Sequence, residues 1–503
     1  MKISKVKNII IFGGGTSGWL TAAYITKNLK FPCNVTLIES TDIGPIGVGE
    51  GTQPATAKFL YDCGIDPLTW MKPSQASFKL GVEFVGWTDK DYFVDNDFIE
   101  NTVIAPDLFT IDYFIGKNKS EFIDWLPAYQ LAKENKSPKL AGLDTNFAHT
   151  GARQFGAVHF SAYDIVAAIK NIILDKISYA NTKIVDIHSD EDGITGLTGE
   201  DGNTYIADLY IDCSGFNSLL LEKTLKTPFT SVTDILPCDK AVVLQTQYNN
   251  PTVECFPYTR STAMTSGWRF TIPVFTRIGN GYVYSSKHIS PEDAEAELRA
   301  SVNEYTAPAK HLNMKCGIHE VVTNKNVIAV GLSAGFVEPL EATGITFTTK
   351  AVELLTDGLN ATQGIWSNAV QREINKLYDE MFWEIVAFVW SHYQFSTKKD
   401  TPFWQDVHRE HLDLLPPKVS AIINKFLPEP HRDFLISPLS SFHTGQWFSV
   451  LNAGGVYKDN KKTLNGDIEK YAEFFIKNQS YRTELVKEMF PNHYEFLKEW
   501  YNQ

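Results

Sequence analysis

The sequence predicts an α/β fold with an added, mainly helical lobe, and two observations carry this prediction. Residues 8–29 read as a short buried strand, a glycine turn and a helix whose apolar positions recur at helical spacing. Short strands return over 182–215, whereas the pattern beyond about residue 361 is mostly helical. We therefore expect an α/β lobe over residues 1–360 and a helical lobe packed on it over 361–503.

The first strand ends in a turn that fits the pattern GxGxxG in its first, third and sixth residues, Gly13, Gly15 and Gly18. Glycines there allow a tight turn and a close approach of the backbone to a pyrophosphate, which the following helix, beginning near Thr16 and Ser17, attracts with its N–H groups. Glu39 ends the next strand, 39 − 18 = 21 positions further on, where it can accept ribose hydroxyls. This combination predicts a Rossmann-type dinucleotide site.

Two later strand ends favour FAD over NAD as the dinucleotide. A site for NAD is usually followed by a compact alternation of strands and helices, whereas here a loop-rich, aromatic stretch intervenes at about 100–155. The chain then returns with 208-DLYIDCSGF-216, after an Asp-Gly hairpin turn at 201–202, and with 328-IAVGLSAGF-336. Each strand runs into small residues that let a cofactor approach, Ser333 and Gly335 among them, although an ordinary tight turn explains each one equally well.

Composition excludes several functional classes. Lys and Arg number 46 and Asp and Glu 59, so the net charge is 46 − 59 = −13, which argues against nucleic acid or an anionic membrane as partner. The six cysteines lie far apart without a CxxC pair and predict reduced, buried thiols of a cytoplasmic protein, with no metal site. No segment has the length and hydropathy of a membrane span.

Five motifs resemble those of flavin-dependent halogenases of the tryptophan halogenase family, in the same order along the chain. They are GGGTSGW at 13–19, IGVGEGTQP at 46–54, FKLGVEFVGW at 78–87, GWRFTIP at 267–273 and VEPLEATGI at 337–345. The family pattern GWxWxIP has a second Trp where this chain has Phe270, which keeps an aromatic wall but leaves its shape open.

The resemblance implies a flavin monooxygenase-like fold and an enzyme that uses FADH2, O2 and a halide ion to form hypohalous acid, which then halogenates a separate aromatic substrate. It also implies a separate NAD(P)H-dependent flavin reductase as partner, because the enzyme receives its flavin already reduced. Gly49 and Glu50 would bind the cofactor, with Glu50 in the strap that separates flavin from substrate, although Glu50 also reads as a capped loop glutamate. A homo-oligomer is compatible with the sequence.

Two residues correspond to the family's essential pair, Lys79 and Glu341. An amine can hydrogen-bond hypohalous acid or become a haloamine, and a carboxylate can polarise that reagent or accept the proton lost from the arene. Lys79 in a surface salt bridge is the commoner alternative, and Glu338 competes for the carboxylate role. The Thr343-Gly344 turn, at the start of a helix, would hold the halide on backbone N–H groups, although Thr343 also reads as a plain N-cap.

The resemblance places Trp268, Phe270 and Trp447 at the substrate, with a core position as the alternative for Trp447. Members specific for tryptophan hold the amino-acid group with a tyrosine pair and a glutamate, whereas 428–447 contains no tyrosine. We therefore expect an indole-like or phenol-like substrate rather than strictly free tryptophan.

Two other classes share part of this pattern. A single-component flavin-dependent aromatic hydroxylase has the same glycine turn but inserts oxygen directly, oxidises NAD(P)H itself and needs no lysine between two pockets. A flavin-binding protein without catalysis would be indifferent to the loss of Lys79.

Overall fold

The first strand of the glycine motif lies inside a six-stranded, mostly parallel sheet. The computed structural model describes residues 4–41, 50–96, 108–116, 122–139, 156–302, 308–408, 415–428, 441–460 and 465–502. Across the sheet the order is Thr323–Asn324, Val327–Ala329, Leu209–Asp212, Asn8–Phe12, Asn34–Glu39 and Ser178–Asn181, and only Thr323–Asn324 runs antiparallel to its neighbour. The two central strands, Asn8–Phe12 and Leu209–Asp212, are mostly apolar and buried on both faces, as is typical of parallel strands inside a sheet.

The predicted strand, turn and helix are confirmed. Asn8–Phe12 leads through the glycine turn into the helix Thr16–Asn28, and the neighbouring strand Leu209–Asp212 ends at the same edge of the sheet. The hairpin at 201–202 also forms, since Gly193–Gly199 pairs antiparallel with Thr204–Tyr205. This edge therefore gathers the glycine turn and the small residues that follow two later strands.

A second large sheet was not predicted. It contains seven strands in the order Lys310–Asn313, Lys240–Thr246, Arg277–Tyr284, Gly267–Val274, Thr259–Met264, Gly81–Val85 and Tyr92–Asp95. All pairs are antiparallel except Thr259–Met264 with Gly81–Val85. Two of the family-like motifs, around residues 81–87 and 267–273, lie in this one sheet.

The stretch 74–87 forms two strands in different sheets rather than one strand with a lysine at its head. Ser77–Lys79 pairs with Ala157–Phe160 in a small sheet that also contains Glu50–Gly51, whereas Gly81–Val85 belongs to the large antiparallel sheet. Leu80 connects them, and its N–H donates to the carbonyl of Pro257. The lysine therefore stands where the chain passes from one sheet to the other.

The carboxyl-terminal third of the chain is helical, as predicted. The long helix predicted over 366–394 forms as Asn368–Gln394, whereas Trp366 belongs to the strand Ile365–Trp366. Its N-cap Ser367 accepts a hydrogen bond from Val370 N. Its second half is buried on nearly every side, because other helices and the antiparallel sheet surround it. The remaining helices in this region are Pro402–Asp406, Pro417–Phe426, Thr444–Ala453, Gly466–Met489 and His493–Tyr501.

Helices also occur among the sheets. Those of eight residues or more are Pro54–Asp62, Leu108–Gly116, Ala162–Ile173, Pro291–Ala300 and Gly344–Ala361, and the shorter ones are Pro67–Met71, Phe122–Trp125, Pro127–Lys133 and Pro251–Glu254. Three of these helices occupy the described part of 100–155, which the sequence predicted to be rich in loops. The remaining short strands are Ser4–Lys5 with Ile365–Trp366, Ile184–Asp190, Phe229–Ser231, Gly317–His319 and Gly335–Phe336.

A single large hydrophobic core contains residues from both sides of the predicted boundary at 360, for example Phe347 and Phe382, whose ring centroids lie 5.9 Å apart. The division into two lobes stays a prediction. All six cysteines are free thiols, and five of them are buried while Cys33 is partly exposed. Among the described helices, none has both the length and the apolar character that crossing a membrane requires.

Candidate active site

The glycine turn is shaped to admit a ligand at one position only. Gly13 has φ +120°, and a Cβ there would lie 2.3 Å from Cys213 O, while a Cβ on Gly18 would lie 1.8 Å from Gly13 O. Gly15, the N-cap of the helix, has no atom within 4 Å of an added Cβ. Because Gly13 and Gly18 serve packing and Gly15 faces open space, the turn fits a pyrophosphate above Gly15 and the helix N–H groups.

The residues that open the helix, Thr16 and Ser17, line the same turn. Ser17 Oγ shares a hydrogen bond of 2.9 Å with Thr348 Oγ1, and Ser17 O accepts from Thr21 Oγ1. The Ser17 side chain is therefore turned toward the helix Gly344–Ala361, which leaves the first-turn N–H groups of Thr16 and Ser17 as the donors for an anion.

Glu39 lies beside the turn but already has three partners. Lys170 Nζ and Tyr179 OH donate to its Oε1 at 2.6 and 2.7 Å, and Trp19 Nε1 donates to Oε2 at 3.1 Å. Oε2 retains lone-pair capacity for a ribose hydroxyl, so the residue fits the predicted role. Sequence spacing found Glu39 but not the cation that neutralises it, because Lys170 comes from a helix 131 positions away.

The two small-residue loops meet as their strands predict. Ser333 Oγ donates to Gly215 O at 3.1 Å, and Ser218 Oγ donates to Ser333 O at 2.9 Å. Gly335 lies just beyond, in the strand Gly335–Phe336. Gly215 has φ +71° and open space at its Cβ position, a second place where a cofactor can approach the backbone.

The motif IGVGEGTQP at 46–54, which contains the strap, is described only from Glu50 onward, since residues 46–48 and Gly49 lie outside the described residues. Glu50 begins the strand Glu50–Gly51, which pairs with His159 and Phe160. Although part of Glu50 remains accessible to solvent, burial raises the pKa of its carboxyl to about 7.

Lys79 is buried, with an exposed fraction of 2%, and its Nζ donates to Thr52 O at 3.0 Å. Burial lowers the pKa of its ammonium group to about 8, an effect that the charge of Glu341 partly opposes. This position contradicts the alternative of a surface salt bridge. An amine with one acceptor among the described residues keeps N–H capacity for a further ligand.

The strand of Lys79 is supported from its other edge by the helix His493–Tyr501. Phe78 N donates to His493 Nε2 at 3.1 Å, and His493 Nδ1 is 2.8 Å from Cys255 O. The Phe78 ring stacks on Trp500 at 5.9 Å, and Tyr501 OH donates to Ala76 O. A side chain thus takes the place of a missing strand partner, which fixes the backbone on which Lys79 stands.

Glu341 ends a 3-10 turn, Pro339–Glu341, and is fully buried. Gln53 Nε2 donates to its backbone carbonyl at 2.6 Å, so consecutive strap residues contact both members of the predicted pair, Thr52 at Lys79 and Gln53 at Glu341. Neither oxygen of the Glu341 carboxylate accepts a hydrogen bond from any described residue. The carboxylate is therefore available to a ligand or a proton.

Glu338, the competing carboxylate, has hydrogen-bond partners on one oxygen, whereas its Oε2 has none among the described residues. Its Oε1 accepts from Trp268 Nε1 at 3.1 Å and from Tyr393 OH. Burial raises the pKa of Glu338 to about 7, although these two donors partly counteract that effect. Glu341 therefore differs from Glu338 in having both carboxylate oxygens without a hydrogen bond from described residues, and Trp268 supports Glu338.

Thr343 is the buried N-cap of the helix Gly344–Ala361, but its Oγ1 has no partner among the described residues and makes no capping hydrogen bond. Ala342, just before it, has φ +56°. Together with the first-turn N–H groups that begin at Gly344, the free hydroxyl provides donors for a small anion. This departs from the plain N-cap alternative.

The predicted aromatic wall residues are packed rather than open. Phe270 is 8% exposed and lies 6.2 Å from Trp268, ring to ring. Trp447 is fully buried and stacks on Phe426 at 4.3 Å with an interplanar angle of 8°. Its Nε1 has no hydrogen-bond partner in the described part of the chain.

Sequence reasoning did not single out His392 and Tyr92. His392 Nε2 lies 3.1 Å from Glu341 Oε1, and Tyr92 OH is 2.7 Å from His392 Nδ1. The histidine sits in a helix and the tyrosine in a strand 300 positions apart, so no local pattern links them. The one available signal was a polar residue on an otherwise apolar helix turn.

A family model described as tryptophan halogenase matches residues 8–469, which is most of the chain. The chain belongs to the tryptophan halogenase family. The 7-chloro-L-tryptophan 6-halogenase KtzR of Kutzneria sp. (strain 744) is 31% identical over 97% of this chain and 98% of its own length.

Solved structures agree with this assignment to the tryptophan halogenase family. The crystal structure of the tryptophan 6-halogenase SttH from Streptomyces toxytricini matches with a TM-score of 0.87 and 28% identity, over 98% of this chain and 100% of that chain. Xcc4156, a flavin-dependent halogenase from Xanthomonas campestris, matches with a TM-score of 0.85 and 25% identity, over 99% and 98%.

Membership of the tryptophan halogenase family confirms the resemblance, the fold class and the prediction of an enzyme. Flavin-dependent halogenases use FADH2, O2 and halide, and they need a separate flavin reductase and an aromatic substrate. The hydroxylase and the flavin-binding protein without catalysis are not favoured.

Proposed function

We propose that this enzyme accepts chloride, bromide or iodide and relays the resulting hypohalous acid through Lys79 to an electron-rich aromatic substrate. The observation that carries the proposal is the buried ammonium group itself. It is held at one point by Thr52 O, lies close enough to Glu341 for that charge to affect its pKa, and retains N–H donors.

The cofactor would lie along the edge where the sheet strands end. Gly15, Thr16 and Ser17 would hold the pyrophosphate, Glu39 the ribose, and the loops of Ser333 and Gly335 would line its further course, with Glu50 in the strap. Bound FADH2 with O2 supplies the oxidant that converts halide to hypohalous acid. Thr343 and Gly344 would hold the halide, because a bare anion needs only backbone N–H groups and a hydroxyl.

Two protein groups, Lys79 and Glu341, donate and accept the protons of the transfer step. The hypohalous acid, hydrogen-bonded to the Lys79 ammonium, gives its halogen to a ring carbon, so the O–X bond breaks and a C–X bond forms. The released hydroxide takes a proton from Lys79 and leaves as water. Glu341 takes the proton from the same ring carbon, whose electron pair returns to the arene.

We further propose an indole-like or phenol-like substrate without the amino-acid group. KtzR and SttH carry tryptophan in their names. In this chain residues 429–440 lie outside the described residues, but two aromatic residues just beyond them are stacked: Phe442 on Phe388 at 3.8 Å and Trp447 on Phe426. No tyrosine occurs over 428–447 to form an amino-acid clamp.

A substrate panel tests this function. Enzyme, FAD, an NADH-dependent flavin reductase and bromide are incubated with indoles, phenols and free tryptophan, and the bromine isotope doublet is sought by mass spectrometry. We expect brominated indole or phenol in preference to bromotryptophan. Equal turnover of free tryptophan and indole would contradict the proposed substrate class, and the absence of any enzyme-dependent bromination would contradict the function.

The Lys79 amine predicts a pH dependence of transfer. Its pKa of about 8 means that the amine is charged at pH 7 and mostly neutral at pH 9. If the ammonium form delivers hypohalous acid, the ratio of halogenated arene to trapped free hypohalous acid falls as the pH rises through about 8. A ratio measures transfer alone, because oxidant production enters both terms. A ratio that instead rises through pH 8 would assign transfer to a haloamine.

The remaining partner and location predictions rest on sequence. We propose that the reductase is NAD(P)H-dependent and that the enzyme is cytoplasmic, in keeping with its six unpaired thiols. A homo-oligomer stays compatible with the chain.

A further inference from the structure

His392 is a buried titratable group that the transfer step above does not use. Its side chain is fully buried, and its two ring nitrogens face two different side chains, Glu341 and Tyr92. The ring is fixed in place by stacking on Phe84 at 4.4 Å with an interplanar angle of 16°, and by an edge contact with Phe388 at 5.1 Å. Its orientation toward the carboxylate is therefore set by packing.

We infer that His392 is a positioning residue that holds the Glu341 carboxylate directed toward the arene proton, and that Tyr92 fixes the required tautomer. The inference rests on the proposed function, in which Glu341 accepts that proton. Neither the sequence motifs nor the pairing of Glu341 with Lys79 provides this support for the base.

The tautomer follows from the partners. A phenol is the better donor of the pair, so Tyr92 OH donates to Nδ1, which leaves the ring proton on Nε2, 3.1 Å from Glu341 Oε1. Burial raises the pKa of Tyr92 well above its usual value, which keeps the phenol protonated. The partial positive charge of the Nε2–H group then lies beside the carboxylate on one side, and Lys79 adds its charge from the strap side.

The contact is electrostatic rather than a locked hydrogen bond. Although the distance is short, the N–H direction and the carboxylate oxygen are not aligned, and both Nε2 and the two Glu341 oxygens make no hydrogen bond with described residues. A base must keep a lone pair free for the incoming proton, so this arrangement suits Glu341 better than a linear hydrogen bond would.

His493 shows what a structural histidine looks like in the same molecule. Both of its ring nitrogens are satisfied by backbone groups, Phe78 N and Cys255 O, and burial lowers its pKa to about 4. His392 contacts no backbone group through hydrogen bonds that the structure describes, and both of its neighbours are titratable side chains. The partners of His493 are those of a residue that supports the fold, whereas the partners of His392 are those expected of a residue that supports a base.

The test measures proton removal directly. Single-turnover bromination of ordinary indole and of ring-deuterated indole is compared in the wild type and in His392→Phe. We expect no isotope effect in the wild type, because addition of the halogen limits the rate. In His392→Phe we expect a rate lower by about 10- to 100-fold and a normal primary isotope effect, since removal of the ring proton becomes slow.

Two further variants make the result specific. His392→Gln keeps an N–H at the position of Nε2 and is expected to recover most of the rate and to lose the isotope effect. His288→Phe is the matched control, because His288 also pairs with a carboxylate, Asp406 at 3.0 Å, but has no described contact with Lys79, Glu341 or His392. A slower His392→Phe without an isotope effect, or a His392→Gln no better than His392→Phe, overturns the inference.

A second measurement does not depend on turnover. In protein labelled with 15N-histidine, the His392 resonances, assigned by their loss in His392→Gln, are expected to show a proton on Nε2 in the wild type and redistribution in Tyr92→Phe. A proton on Nδ1 in the wild type overturns the inference. Failure of bromination by the wild type, or undiminished bromination by a Lys79 variant, instead contradicts the proposed function, so the two failures are distinguishable.

Discussion

Lys79→Met is expected to abolish substrate halogenation while leaving the protein folded. Product formation should fall by about 10³-fold or more, because methionine fills the same volume but neither holds nor protonates hypohalous acid. Reductase-driven O2 consumption should continue, with hypohalous acid appearing in a soluble amine trap. The measurement is product and trapped oxidant from the same reaction, by mass spectrometry.

The stability change follows from the direction of the pKa shift. Burial lowers the pKa of Lys79 from 10.5 to about 8, so the unfolded chain holds this proton more tightly than the folded one. The charged amine therefore destabilises the fold below about pH 8, and this effect disappears as the pH rises toward 10.5. At pH 7 the methionine variant removes a cost on the order of 1–3 kcal/mol but leaves the buried Glu341 carboxylate without its neighbouring cation, so the free energy of unfolding should change by less than that amount.

Lys418→Met is the matched control, since Lys418 is an exposed lysine that bridges to Asp379. It should change neither the partition of oxidant nor, by more than about 0.5 kcal/mol, the stability. If Lys79→Met brominates indole at the wild-type rate, the amine takes no part in the reaction and the proposed relay is wrong.

Gly15→Val is expected to lose FAD without unfolding the protein. Gly15 has a φ of −74° and no atom within 4 Å of an added Cβ, so valine is accommodated in the cofactor-free chain. The added side chain occupies the space predicted for the pyrophosphate, and FAD affinity should fall by about 100-fold or more. Flavin fluorescence titration and thermal unfolding measure the two quantities separately.

Gly13→Val provides the contrast at the same turn. A Cβ there would lie 2.3 Å from the backbone oxygen of Cys213, and the φ of +120° is unfavourable for valine, so this variant should lose stability. If Gly15→Val binds FAD like the wild type, the pyrophosphate does not pass over this turn.

Local patterns predicted the cofactor edge well. A glycine turn, a buried strand and a helix are all set by neighbouring residues, and the spacing from Gly18 to Glu39 spans only one βα unit. Lys79 and Glu341 were identified from family motifs and not from local sequence patterns, because a strand of three residues does not reveal which distant residues its side chains contact.

The support around the pair could not be predicted, because it comes from distant segments. Thr52 and Gln53 stood inside a recognised motif, yet only the folded chain shows that they contact Lys79 and Glu341. Tyr92 and His392 are 300 positions apart. The split of 74–87 into two sheets was missed for the same reason, since Leu80 takes its partner from Pro257.

The hydrogen bond from Phe78 to His493 has a consequence for how the protein matures. It joins groups 415 positions apart, and contacts of that span form late, whereas the glycine turn and its neighbouring strand assemble locally. A chain that has formed its cofactor and halide sites but not this hydrogen bond would make hypohalous acid while the strand of Lys79 is still unsupported. We expect newly made protein given reduced flavin too early to oxidise its own methionines and cysteines.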